Sequence, residues 1–171
     1  MKNKLLSSQR FVGVIVFLFI ILIDQISKFF ICRFLTLGSS ITVFKYINFV
    51  YVMNSGVSFG LFSDGKLWQL VLINVAIILA FIWLIKEYFH STHIFHSIAI
   101  ALIMGGATGN VLDRIFYGAV VDFIDFHINN YTISLLNIKI SNWHWPAFNI
   151  ADSAITCGVF LLLLRSLKTK K

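Results

Sequence analysis

The 171-residue chain reads as an all-α membrane protein with four transmembrane helices, cytoplasmic N and C termini, and a small extracytoplasmic β-rich platform. Three observations lead there. Apolar residues make up 58% of the chain and aromatic ones 16%, at a mean hydropathy of +0.87, while only 12% are charged, about half the share usual in a soluble domain. The apolar residues fall in runs long enough to cross a hydrocarbon core, which takes about 20 residues of helix. Basic residues gather at both chain ends.

The elements follow in order, and all belong to one integral membrane domain over residues 1–171. The first run, about 11–31, follows Lys2, Lys4 and Arg10. A cleaved secretory signal begins the same way, but no small-residue cleavage site follows, so the run is expected to remain as a span. Residues 32–66 form the first outer loop. There "SSITVFKYINFVYVMNSG" carries β-branched and aromatic residues in partial alternation and closes on Asn-Ser-Gly, which predicts the strand-rich platform. Spans follow at about 67–85 and 94–117, and the turn between them holds Lys86, His90, His93 and His96. With no carboxylate or thiolate at a zinc spacing, the histidines read as a solvated turn. The second outer loop, about 118–147, contains Trp143 and Trp145, suited to an interfacial aromatic belt. The last span, about 148–167, runs into Arg165, Lys168, Lys170 and Lys171.

Basic ends put both termini in the cytoplasm. The net charge of +7 is thereby accounted for by topology and anionic membrane lipid rather than by nucleic acid. Cys32 and Cys157 lie in or beside apolar runs, far from any paired spacing, and read as core residues.

Against this background the acids stand out. Counting about 1.5 Å per helical residue from the cytoplasmic side, Asp24 reaches the outer half of the membrane, Asp113 and Arg114 the outer end of the third span, and Asp122 lies just beyond. Asp152 follows four residues after Phe148, where the fourth span starts inward. Separate segments therefore deliver acids to one leaflet, where each buried charge costs at least about 2.5 to 3.5 kcal/mol and needs a partner or a function. Plain pairing accounts for some: Asp24 with Lys28 one turn on, Asp113 with Arg114, and Asp125 in water at the surface. Asp122 and Asp152 are left without assigned bases. Two carboxylates brought close share a proton, which is the equipment of an aspartic hydrolase.

Rival motifs are weak. Ser63 to Lys66 matches S-x-x-K without the rest of the penicillin-binding set, and Ser27 and Lys28 are adjacent on a helix, so they point apart. "GGATGN" from Gly105 follows a helix rather than a strand, so Gly105, Gly106 and Gly109 read as helix packing.

Four blocks carry a family resemblance: "DQISK" from Asp24, "MNSGVSFG" from Met53, "GGATGNVLDRIFYGAVVDFIDF" from Gly105 and "FNIADSAI" from Phe148. In this order and spacing the chain resembles lipoprotein signal peptidase, or signal peptidase II. The resemblance implies a multi-pass enzyme of the bacterial inner membrane, an aspartic endopeptidase that cuts prolipoproteins before a diacylglyceryl-modified cysteine. It implies Asp122 and Asp152 as the catalytic pair, no metal or cofactor, and inhibition by globomycin-type cyclic peptides. The supporting polar residues map to Asp24, Asn54, Asn110, Arg114 and Asn149. The three amides suit the backbone of an extended signal peptide, and Arg114 suits either Asp113 or a substrate carbonyl or headgroup.

A small proton-coupled transporter with an aspartate relay is the alternative reading, but a relay should be distributed through the membrane, and these acids cluster on one side. One departure from the family pattern is "NNYTISLLNIKIS" from Asn129, an insertion whose alternating Ile133, Leu135, Ile138 and Ile140 predict a short interfacial hairpin.

Overall fold

A computed structural model describes residues 2–56, 67–91, 93–128, 131–133, 138–140 and 143–169. Those residues hold four helices, α1 (Lys2–Phe34), α2 (Leu67–His90), α3 (Ile94–Tyr117) and α4 (Ile150–Thr169), and six strands. Among the described residues, three stretches are long and apolar enough to cross a membrane: Ser8–Phe34, Ile94–Tyr117 and Ile150–Leu167. On α1 and α4 the apolar side chains turn outward. Leu18, Leu22, Phe29, Phe160 and Leu163 are all more than half exposed, as suits helices whose solvent is lipid rather than water.

Helix α3 is the centre of the bundle, packing against α1 and α4. Small residues make the approach possible. A Cβ added at Gly106 would collide with the backbone carbonyl of Ala151, and one added at Gly109 would lie 2.5 Å from Asp24 Oδ2. The C-terminal end of α3 stops where Gly118 adopts φ +73° and its N–H bonds the Arg114 carbonyl, a left-handed cap that glycine accepts at little cost.

From that cap the chain runs directly into the platform. Strands β1 (Ser40–Phe44), β2 (Ile47–Asn54), β3 (Val120–Ile128) and β6 (Trp143–His144) form one antiparallel sheet in the order β1-β2-β3-β6. The platform is thus built from the segments on either side of the second and third helices, with β2 and β3 at its middle. Val121 and Phe123 on one face of β3 pack on Ile31 at the end of α1. The opposite face carries Asp122. The insertion forms an antiparallel pair, β4 (Tyr131–Ile133) with β5 (Ile138–Ile140), in the register Tyr131 to Ile140. Asn129, Leu135 and Ser141 lie outside the described residues, as does the Ser63 to Lys66 motif.

Candidate active site

Three segments meet beside Asp122. The register of β2 on β3 sets Asn54 opposite Val120, so Asn54 lies diagonally from Asp122 on the same face. Its Nδ2 donates to Asp122 Oδ2 at 2.9 Å, and its Oδ1 accepts from the Gly56 N–H at 3.0 Å. The chain before α4 is stitched to β3 through Phe148, whose N–H bonds the Ile124 carbonyl at 3.0 Å and whose carbonyl accepts from Ile124 at 2.8 Å. That contact brings Asn149 and Asp152 against Asp122.

Asn149 then starts α4 with a reciprocal cap. Its Oδ1 accepts from the Asp152 N–H at 2.9 Å, and its own N–H donates to Asp152 Oδ2 at 3.3 Å. The remaining amide group, Nδ2, divides two hydrogens among Asp122 Oδ1 at 2.8 Å, Asn110 Oδ1 at 3.1 Å and the Val121 carbonyl at 3.2 Å. Asn149 therefore touches both acids, while Asn110 Nδ2 donates to Asp152 Oδ1 at 2.8 Å. Both carboxylates line a cavity of about 430 Å³ with Asn54, Trp145, Phe148 and Thr156. Neither makes an ion pair within 4 Å among the described residues. Burial pushes the Asp122 carboxyl up to about 6, with the charge of Asp152 adding to the rise and the Asn54 amide opposing it.

Behind this cavity sits a second, closed cluster. Lys28 Nζ lies 2.8 Å from Asp24 Oδ2 and 2.8 Å from Asp113 Oδ2, and donates to Asn110 Oδ1 at 3.1 Å. Asp24 Oδ1 also accepts the Ala151 N–H at 2.9 Å, satisfying an open donor in the first turn of α4. Asp113 Oδ2 accepts the Val121 N–H at 3.0 Å, and Gln25 Nε2 bonds Asp113 Oδ1 at 2.9 Å. One lysine ties α1 to α3, and its two acids anchor the starts of α4 and β3.

Several expectations are corrected by this geometry. Asp113 pairs with Lys28 rather than with Arg114, because adjacent residues on a helix point about 100° apart. Arg114 instead donates to the carbonyls of Asn110, at 3.1 Å, and Gly56, at 3.3 Å, holding the end of β2 against α3. Asp24 and Asn149 are fully buried, and the amides of Asn54, Asn110 and Asn149 bond the two acids. Asp125 is not in water: it is buried, accepting from Asn48 Nδ2 at 2.9 Å beside His144 Nδ1 at 3.0 Å. Cys157 is exposed and Cys32 half-buried rather than core, since an apolar side chain on a lipid-facing helix gains nothing by turning inward. Sequence reasoning missed the double role of Lys28 and the cap of α4. The spacing of Asp24 with Lys28, four apart, and of Asn149 with Asp152, three apart, were the available signals. Among the described residues, no group of three His, Cys, Asp or Glu side chains is placed to hold a metal ion.

Known proteins share this arrangement of sequence and fold. A family model described as signal peptidase (SPase) II matches residues 16–168. The lipoprotein signal peptidase of Anaplasma phagocytophilum (strain HZ) is 40% identical over 162 residues, covering 93% of this chain and 94% of that protein. That of Paraburkholderia phymatum is 40% identical over 152 residues, or 87% and 83% of the two chains. Among solved structures, a bacterial membrane enzyme determined in meso at 1.9 Å superposes with a TM-score of 0.73 at 29% identity, over 92% of this chain and 93% of that one. A second, at 2.3 Å, gives a TM-score of 0.73 at 30% identity, over 94% and 90%.

Proposed function

Since the chain belongs to the signal peptidase II family, we propose that it is an aspartic endopeptidase that removes signal peptides from diacylglyceryl-modified prolipoproteins, cutting before the lipidated cysteine with water activated by Asp122 and Asp152. Family membership by itself makes the chain a membrane-embedded peptidase of lipoprotein processing. The aspartic chemistry rests on one observation: two carboxylates line one cavity, joined through Asn149, held by amides rather than neutralised by a cation.

Amides and cations do different things to an acid. A salt bridge locks a carboxylate in its ionised form, whereas amide donors fix its orientation and leave a proton free to come and go. In this reading Asp122, whose carboxyl burial raises to about 6, carries the proton of the pair. Asp152 sits in the first turn of α4, where a helix N terminus favours negative charge. In this reading the Asp152 carboxylate takes a proton from water as the water oxygen attacks the scissile carbonyl, and Asp122 gives its proton to the carbonyl oxygen. Collapse of the resulting diol breaks the C–N bond, the leaving amine takes the proton from Asp152, and a hydroxyl proton returns to Asp122. Asn54, Asn110 and Asn149 orient the acids, Asp24 positions α4, and Arg114 fixes the loop after β2.

The same reading counts α2 as a fourth span, with both termini in the cytoplasm of a bacterium, the platform outside the inner membrane and residues 1–171 acting as one domain. The open side of the cavity then meets the lipid phase, so a substrate's acyl chains stay among membrane lipids while its peptide bond meets the acids. Globomycin-type cyclic peptides fit the same cavity as peptide mimics. Purified chain mixed with a diacylglyceryl-modified prolipoprotein should yield a product shortened at the lipidated cysteine, and such an inhibitor should block it. Absence of cleavage by folded protein would overturn the proposal.

A further inference from the structure

A larger cavity, about 650 Å³, lies on the platform next to the acid-lined one. It falls within the size range of small-ligand pockets, about 300 to 1,000 Å³. Its wall is aromatic: Tyr46, Phe126, Trp143, Trp145 and Phe148 surround it, together with His127. Phe126 and Phe148 stack with ring centres 5.7 Å apart, and Trp143 lies 6.1 Å from Trp145. Two of these residues, Trp145 and Phe148, also line the acid-lined cavity, so the two spaces share a wall.

Strand geometry relates the two cavities. Asp122, Ile124, Phe126 and Ile128 lie on the same face of β3, because side chains alternate along a strand. At about 3.3 Å per residue, Phe126 stands about 13 Å beyond Asp122, which an extended peptide spans in about four residues. β3 leaves the helical bundle at Val120, so its far end lies on the platform, away from the helices that an apolar signal peptide would accompany.

We propose that this aromatic cavity is a substrate subsite that takes an apolar or aromatic side chain from the mature segment of the lipoprotein, three to five residues past the lipidated cysteine. The subsite rests on the peptidase reading above and deepens it. A tyrosine suits it, its ring lying among Phe126, Trp143 and Trp145. The shared wall of Trp145 and Phe148 makes the subsite continuous with the cleavage site, so occupancy there would hold the scissile bond in place.

The test uses three lipidated prolipoproteins that are identical except for tyrosine, glycine or aspartate at the fourth residue past the cysteine. For the unmodified enzyme, kcat/KM should fall about tenfold from tyrosine to glycine and further to aspartate, the scale of losing one buried side chain. In Trp143→Ala and, separately, Tyr46→Ala, the tyrosine-to-glycine ratio should shrink to about twofold or less. The ratio is read within each enzyme, so an overall loss of folded protein cancels. A photoreactive aromatic residue at the fourth position should also label Tyr46, Phe126 or Trp143 in the Asp122→Asn enzyme. Equal rates for tyrosine and glycine in the unmodified enzyme, or labelling confined to other residues, would overturn the subsite while cleavage of all three substrates kept the peptidase reading. No cleavage of any of them would overturn both.

Discussion

Two clusters of acids lie within one end of the bundle and have been resolved in opposite ways. Asp24 and Asp113 are fully buried and share a lysine that is itself only 2% exposed. Asp122 and Asp152 face a cavity and receive only amide groups. Removing two acids and one base from water costs several kcal/mol per ion, and the first cluster offsets that cost with two short ion pairs and backbone donors from Ala151 and Val121. Each of its acids is engaged by the lysine and by a backbone N–H. The second cluster is held less tightly, and its carboxylates remain available to a substrate. On the proposed reading the contrast separates acids that build the protein from acids that perform chemistry, by the kind of partner rather than by depth or burial.

The comparison is broken most directly at the cavity. Asp122→Asn and Asp152→Asn should each reduce cleavage by at least about a thousandfold while the protein stays folded in the membrane, since an amide keeps the shape and cannot carry the proton. Full activity in either would remove the dyad from the mechanism.

Next in size is the closed cluster. Lys28→Met leaves two buried carboxylates without a cation and should destabilise the chain by about 3 to 5 kcal/mol, measured as thermal unfolding in detergent. The triple change Lys28→Met, Asp24→Asn, Asp113→Asn should recover most of that loss. An unchanged melting temperature in Lys28→Met would mean that the ion pairs contribute nothing.

The orienting amides come third. Asn149→Ala and Asn54→Ala should lower kcat about 10- to 100-fold, with Asn149 the more severe because it touches both acids, whereas KM should move little. A silent Asn149→Ala in a cleavage assay would return that residue to helix capping alone.

A smaller effect is expected from pH. Burial raises the Asp122 carboxyl, so its protonated form persists up to about 6 and is lost above it. The alkaline limb of kcat/KM should therefore bend near pH 6 and fall up to tenfold per unit beyond, as a property of the coupled pair. A rate that is flat from pH 6 to 8 would place the proton elsewhere.

The smallest effect belongs to the insertion. Deleting residues 131–141 removes the β4–β5 pair, a two-stranded sheet separate from the platform sheet. Loop length carries a slowly varying closure cost, about 0.6 kcal/mol per doubling, so cleavage should persist while preference among lipoproteins shifts. Complete loss of cleavage in a folded deletion variant would make the insertion part of the site.

Much of this was legible in the chain itself. Run length against bilayer thickness is a one-dimensional property, so α1, α3 and α4 could be read directly, and the alternation after residue 39 announced β1 and β2. The acids gathered at one level because rise per residue is fixed in a helix. The four motif blocks named the family and pointed to Asp122 and Asp152.

What tertiary structure alone decided was which polar group meets which. β3 was hard to see because both of its faces are covered, one by the α1 end and one by the site, so its apolar pattern does not alternate. Asp125 left the water only because β2 delivers Asn48, 77 residues away, and β6 delivers His144. Lys28 reached Asp113 only because Gly109 lets α1 and α3 close to contact. Local periodicity specifies how far each side chain lies along its own element, whereas the partner across the gap depends on how elements from distant parts of the chain pack. In a dry interior that partner determines whether a carboxylate is locked in an ion pair or left able to exchange its proton.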